Sequence, residues 1–140
     1  MKKRFALFFC ILSIVCFLSA CGPSSESGDI LLPNASDISK VTLINGDVTS
    51  SSTDPAYIEK LLRAMANAKD TGLESVQDRP SGDTALQIDF TISSGQCTIF
   101  MYFNGGKLFL EQPYEGIYTV DKSLADIVYE METHSIDNMI

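Results

Sequence analysis

Two hydrophobic periodicities share the chain. From Thr84 to Ser93 the apolar residues Leu86, Ile88, Phe90 and Ile92 fall at every second position, with Gln87, Asp89 and Thr91 between them. A period of two places each set on its own face of a strand. After a turn at Ser94-Gly95, the stretch Gln96 to Phe103 is apolar on both faces, the pattern of a central strand. Asn104-Gly105-Gly106 is a hairpin signal, and Lys107 to Gln112 returns as the next antiparallel strand. Pro113 has no N–H for a ladder, so it ends that strand or sits at a bulge. Gly116 lets the chain turn into a short last strand, Ile117 to Val120. Between Asp54 and Lys69 the period changes to that of a helix: Ile58, Leu61, Leu62, Met65 and Ala66 recur at i, i+3, i+4, i+7 and i+8. Asp54 suits its N-cap, Pro55 its first turn, and Thr71-Gly72 stops it. A second helix is predicted from Asp121 to about Thr133, with the stripe Leu124, Ile127, Val128 and Met131. Ser123 and Asp126 have the spacing of a capping box. The tail from His134 reads as frayed. Ahead of these elements, Ile38 to Val48 reads as a first strand. Asn45-Gly46-Asp47 leaves open whether it is one strand or a hairpin. Leu73 to Asp83 reads as a loop.

Consecutive strands joined by short loops pair antiparallel. Two helices with one apolar stripe each are best buried on the aliphatic face of the resulting sheet. The expectation is therefore a two-layer α+β fold in the order β-α-β-β-β-(β)-α. Four to five antiparallel strands form the sheet, with both helices on one face.

The N-terminus follows neither periodicity. Met1-Lys2-Lys3-Arg4 is basic, and Phe5 to Ala20 is uncharged and mostly apolar. This run is short for a membrane span and has the flanks of a secretory signal peptide. It ends in Leu18-Ser19-Ala20-Cys21, which resembles the lipobox of bacterial lipoproteins. By that resemblance Cys21 receives a diacylglyceryl group and becomes the mature N-terminus. Two acyl chains hold a protein stably on a bilayer without a spanning helix. The expected organisation is a signal peptide over 1–20, a flexible Gly/Pro/Ser/Asn-rich tether over 21–36, and a single domain over 37–140. Ile30-Leu31-Leu32 is the one apolar interruption of the tether. The expected location is the cell membrane, lipid-anchored on its extracytoplasmic face.

Removing the leader sharpens the charge. The whole chain carries 10 Lys and Arg against 18 Asp and Glu, a net charge of −8. All 18 acids follow Cys21, while three of the ten basic residues precede it, so the mature body carries −11. Such a body repels phosphate backbones, which excludes nucleic-acid binding as a function class. Of four cysteines, Cys10 and Cys16 leave with the leader and Cys21 is used by lipid. Cys97 then stands alone, with no partner for an internal disulfide. Its place in "GQCTIFMYF" suits a buried strand position.

No catalytic constellation emerges. The only histidine, His134, lies in a polar stretch near the C-terminus, where a Ser-His-Asp arrangement has no support. One cysteine and one histidine cannot make a zinc site. There is no Gly-rich phosphate cradle and no calcium-loop pattern, so no metal and no cofactor is expected. The richest segment is Glu111 to Tyr118, "EQPYEGIY", with two tyrosines and two glutamates beside Pro113 and Gly116. Tyrosine gives rigid contact area with a polar tip, which suits recognition. The alternative is that Tyr114 and Tyr118 pack beside the turn and cap the sheet.

Three stretches carry a family resemblance: "AKDTGLESVQDRP" (Ala68–Pro80), "ALQIDF" (Ala85–Phe90) and "LFLEQPYEGIYTVD" (Leu108–Asp121). They resemble small lipoproteins of Gram-positive bacteria grouped as domain of unknown function 5301, over roughly Val41 to Asp121. The resemblance implies one extracytoplasmic domain per protein and supplies no catalytic residue. It places Glu74, Ser75, Asp78, Pro80, Glu111, Pro113, Tyr114, Gly116 and Tyr118 in recurring motifs. The function expected is that of a non-enzymatic binding or interaction module for an unknown protein or small ligand. Asp78, Arg79, Glu111, Tyr114, Glu115 and Tyr118 are its candidate contact residues. The alternatives are an enzyme of unusual design using carboxylates or Cys97, and an inhibitor of a neighbouring membrane protein.

Overall fold

The structure is a computed structural model that describes residues 28–81 and 84–137. The expected signal peptide and Cys21 lie outside the described residues. The fold is α+β, with one antiparallel sheet and two helices. The strands are β1 (Ile38–Asn45), β2 (Val48–Ser52), β3 (Lys69–Leu73), β4 (Leu86–Ile92), β5 (Gly95–Asn104), β6 (Lys107–Gln112) and β7 (Gly116–Val120). The helices are α1 (Pro55–Met65) and α2 (Ser123–Asp137), and a 3-10 turn, Ala35–Asp37, precedes β1.

The sheet has seven strands rather than the four to five read from the sequence, in the order β2-β1-β4-β5-β6-β7-β3. β5 is the middle strand, which explains its apolar residues on both faces. The two additional strands are the two edges. Around Gly46 the first segment is a hairpin: Asn45 pairs with Val48 and Val41 with Ser52. Gly46 has φ +58°, the conformation a two-residue hairpin turn needs at its first central position. At the other edge, Lys69–Leu73 pairs with β7 across a bulge, Asp70 opposite Tyr118 and Leu73 opposite Ile117. Helix α1 therefore ends at Met65, four residues before the expected Lys69. Pairing with β7 overrides the helical tendency of that segment.

The periodicities place the core. Phe90 opposes Cys97, Ile88 opposes Ile99, and Leu86 opposes Met101, which opposes Leu110. These side chains share one face with Val41, Leu43, Leu108 and Tyr118, and both helical stripes pack there. Ile58, Leu61, Leu62 and Met65 come from α1, and Leu124, Ala125, Val128 and Met131 from α2. Full burial of each large aliphatic side chain contributes roughly 1.5–3 kcal/mol. The helices are joined at their surface by Lys60 Nζ to Glu130 Oε2 at 2.6 Å, and by the Tyr57 hydroxyl donating to the Ile127 carbonyl at 3.1 Å. Asp54 caps α1 by accepting from the Ala56 N–H at 3.1 Å. At α2 the capping carboxylate is Asp121, which accepts from the Ser123 N–H at 2.8 Å, in place of the expected Ser123–Asp126 box. Hydrogen bonding from the Ser123 side chain first, and from its N–H second, holds the Asp121 carboxyl below the usual carboxylate range.

Strand order dictates two long crossings. Helix α1 carries the chain from the β2 edge to the β3 edge on the core face. The segment 74–85 must then pass β7, β6 and β5 to reach β4. Its described residues 74–81 lie on the opposite face, as a strap without regular secondary structure.

The chain N-terminal to β1 is also held. Within the expected tether, Ile30 is buried in the core. The Gln112 side-chain amide grips the backbone of Leu31 from both sides, accepting from its N–H at 3.0 Å and donating to its carbonyl at 2.8 Å. The one apolar interruption of the expected tether is thus docked on the domain.

Candidate binding surface

The face opposite the helices carries the other half of the strand alternation: Gln87 and Asp89 on β4, Thr98, Phe100 and Tyr102 on β5, and Phe109 and Glu111 on β6. Asp89 is buried and accepts from Gln87 Nε2 and from the Thr98 hydroxyl at 2.7 Å. Tyr102 and Phe109 stack with centroids 5.8 Å apart.

The strap is fastened to this face at three points. Ser75 is 4% exposed and donates to Glu111 Oε1 at 2.7 Å, while Glu111 is 2% exposed. Tyr102 donates to the other Glu111 oxygen at 3.2 Å. Burial and this carboxylate push the Tyr102 phenol up to about 12. Four residues along, Arg79 lies over the Phe100 ring, 5.8 Å from its centroid, and Pro80 is buried. The Asp78 carboxylate accepts from the Tyr114 hydroxyl, which raises that phenol above its ordinary value.

The segments "ESVQDRP" and "EQPYEGIY", 36 residues apart in sequence at each of two hydrogen bonds, are thus clipped together. Of the residues proposed from the sequence, Asp78, Arg79, Glu111 and Tyr114 meet here. Glu111 serves as the buried fastening, and Tyr114 stands at the surface. Glu115 is exposed in the β6–β7 turn. Tyr118 sits elsewhere: its alternation with Ile117 turns it to the helical face, where it joins the core. Burial and the charges of Asp70, Glu115 and Asp29 raise its phenol. Ser75, Tyr102 and Phe100 were not singled out as contact residues from the sequence. Tyr102 and Phe100 alternate with Ile99 and Met101, and that phase is the signal that places them opposite the core.

The turn bearing Tyr114 has an unusual backbone. The Glu115 N–H donates to the Gln112 carbonyl at 3.0 Å, closing a four-residue turn with Pro113 at its second position. Tyr114 has φ +64°, and among the described residues it is the one non-glycine with positive φ. This is a type II turn, whose third position favours glycine. A bulky residue there is a true outlier. Tyr114 is nonetheless 63% exposed, so packing does not explain it.

Among the described residues no group of His, Cys, Asp and Glu could hold a metal ion. Shallow hollows among the described residues lie away from the strap, one beside Lys107, Thr119 and Lys122 and another between the helices at Lys60, Ala64 and Ser123. Cys97 is half-buried on the helical face, with Gln112 Nε2 3.8 Å from its sulfur. Burial raises its thiol above the ordinary value.

A family model, DUF5301, described as "Domain of unknown function (DUF5300)", matches residues 26–119. The chain belongs to this family. The DUF5301 match takes in all seven strands but for the last residue of β7, and with them the strap and the Tyr114 turn. No curated protein matches. Among solved structures, an NMR structure of a protein from Ruminococcus gnavus is similar at 29% identity, with a TM-score of 0.61. That similarity covers 69% of this chain and 99% of the other.

Proposed function

We propose that this DUF5301 protein is a non-enzymatic binding module held on the outer face of the membrane through lipid on Cys21. The observation that carries the binding role is Tyr114. A left-handed, exposed tyrosine occupies a turn position that glycine would fill without strain, and strain of this kind concentrates at functional sites. Its hydroxyl is fixed by Asp78, so the ring is held in one orientation against a strap that is itself clamped by the Ser75–Glu111 hydrogen bond. Preorganisation of this kind lowers the entropy cost of capturing a partner. The acids that could serve a reaction are used otherwise: Glu111 and Asp89 are buried and hydrogen-bonded within the sheet face.

The anchoring half rests on the basic start, the apolar run and "LSAC" of the sequence. No helix of the described residues is long and apolar enough to cross a membrane. The test is cross-linking on living cells carrying the full-length protein, with Cys21→Ala as the unanchored control. One protein recovered repeatedly, and lost with the control, is the expected result. Recovery unaffected by Cys21→Ala would contradict the anchor. Nothing above background in either form would contradict a protein partner.

A further inference from the structure

We infer that the end of the domain bearing the Gln112–Gly116 turn faces the membrane and binds a basic, apolar polypeptide segment lying at the bilayer surface. The orientation rests on the anchoring through Cys21 proposed above; the binding chemistry does not.

The orientation comes from the N-terminal clip. Gln112 holds Leu31 and immediately precedes the Tyr114 turn. Leu31, the clipped residue, is ten positions after Cys21. Ten residues span at most about 35 Å. A tether free as far as Ser36 would have allowed about 50 Å. The Tyr114 end is therefore kept close to the lipid headgroups. The Asn104–Lys107 hairpin, at the other end of β6, lies about 20 Å further away.

The chemistry of that end narrows the occupant. Of seven large hydrophobic residues exposed among the described residues, four lie at this end: Tyr114 at 63% in the turn itself, Leu73 at 59% and Val76 at 76% on the strap side of the sheet, and Leu31 at 58% on the helical side. Leu31 is bonded to Gln112, Leu73 pairs with Ile117, and Val76 follows Ser75, which is bonded to Glu111. Five acids lie among them: Asp29, Asp70, Glu74, Asp78 and Glu115. The strap's one cation, Arg79, is engaged on Phe100, and Lys69 is set back beside Thr119. Anionic headgroups repel such a surface, so the bilayer itself is a poor occupant. A segment with Lys or Arg beside apolar side chains satisfies both halves. Segments of that composition lie in the plane of the interface, where this end points.

The probes are a synthetic amphipathic helix of Leu and Lys, its Leu and Glu counterpart, and phosphatidylcholine vesicles. The protein is used as the mature lipidated chain on those vesicles and as the soluble Cys21→Ala chain. Saturable binding of the Lys peptide to both forms is expected, weakening as salt rises. No binding of the Glu peptide is expected. Leu73→Ser with Val76→Ser, both exposed in the wild type and checked for an unchanged melting temperature, should weaken binding at least about tenfold, less than the burial of two such side chains would allow. Phe103→Ser at the far end should leave it unchanged. Equal binding by the double variant, or no binding by the folded soluble chain, overturns the surface. Vesicle binding by the soluble chain without peptide makes the bilayer the occupant and overturns it as well. Peptide captured by the soluble form but not by the lipidated form overturns the orientation, as does a mature Cys21 that carries no lipid.

Discussion

Ser75→Ala isolates the clamp that fixes the strap. The serine hydroxyl and the Glu111 carboxylate are both buried and 2.7 Å apart, so water cannot readily replace the lost donor. A hydrogen bond to a charged group contributes about 1.5–3 kcal/mol, and Glu111 keeps one donor, Tyr102. The expected loss is about 2 kcal/mol. At roughly 4 °C per kcal/mol for a domain of this size, Tm should fall by about 8 °C. Urea denaturation gives the free energy directly, with an unchanged m-value indicating the same buried surface. The double variant Ser75→Ala with Glu111→Gln closes a cycle whose coupling should exceed about 0.5 kcal/mol. A Ser75→Ala protein within about 0.5 kcal/mol of wild type would refute the reasoning. The strap would then be held by Arg79 and Pro80 rather than by the buried acid.

Gly116→Ala should destabilise by about 1–3 kcal/mol, because its Cβ would lie 3.1 Å from Tyr118 Oη and 3.2 Å from its Cζ. Thermal melts should show part of that loss recovered in a Tyr118→Phe background. The Tyr102 phenol, pushed up to about 12 in the folded chain, ionises near its ordinary value of about 10 on unfolding. Its contribution is complete below about pH 10 and is lost as pH rises towards 12, so Tyr102→Phe should flatten the alkaline stability curve over that window. Cys97 should react slowly with a thiol reagent at neutral pH, since burial raises its pKa. Gln112→Ala, which releases Leu31, should speed that reaction; rates equal to those of the denatured chain in the wild type would contradict the burial.

Much of the sheet was legible because β4, β5 and β6 declare themselves by alternation and by Asn-Gly-Gly punctuation. The two helices were legible because their stripes are intact. The edges were not. β2, Val48–Ser52, is nearly all Ser and Thr and turns only Ser50 inward, so it carries no hydrophobic pattern of its own. It exists because β1 supplies its partner. β3 contains one glycine and one leucine in five residues, with a bulge that lengthens its spacing against β7. Both strands are products of long-range pairing, which overrides local propensity. The strap followed from neither period. Its path across three strands is a consequence of strand order, and only that order brings Ser75 to Glu111 and Asp78 to Tyr114. The composition of "EQPYEGIY" pointed to Tyr114 and Tyr118 together, yet they part company: the turn exposes the first, and strand phase sends the second to the core.

A binding role for Tyr114 requires that the residue be retained for what it touches rather than for the fold. Tyr114→Gly tests that most directly, because glycine suits φ +64° while removing the ring. Thermal stability and cross-linked partner recovery would be measured on the same full-length variant in cells. The expected result is a Tm equal to or above that of the wild type together with strongly reduced recovery. A folded Tyr114→Gly protein that recovers its partner as efficiently as the wild type would contradict it.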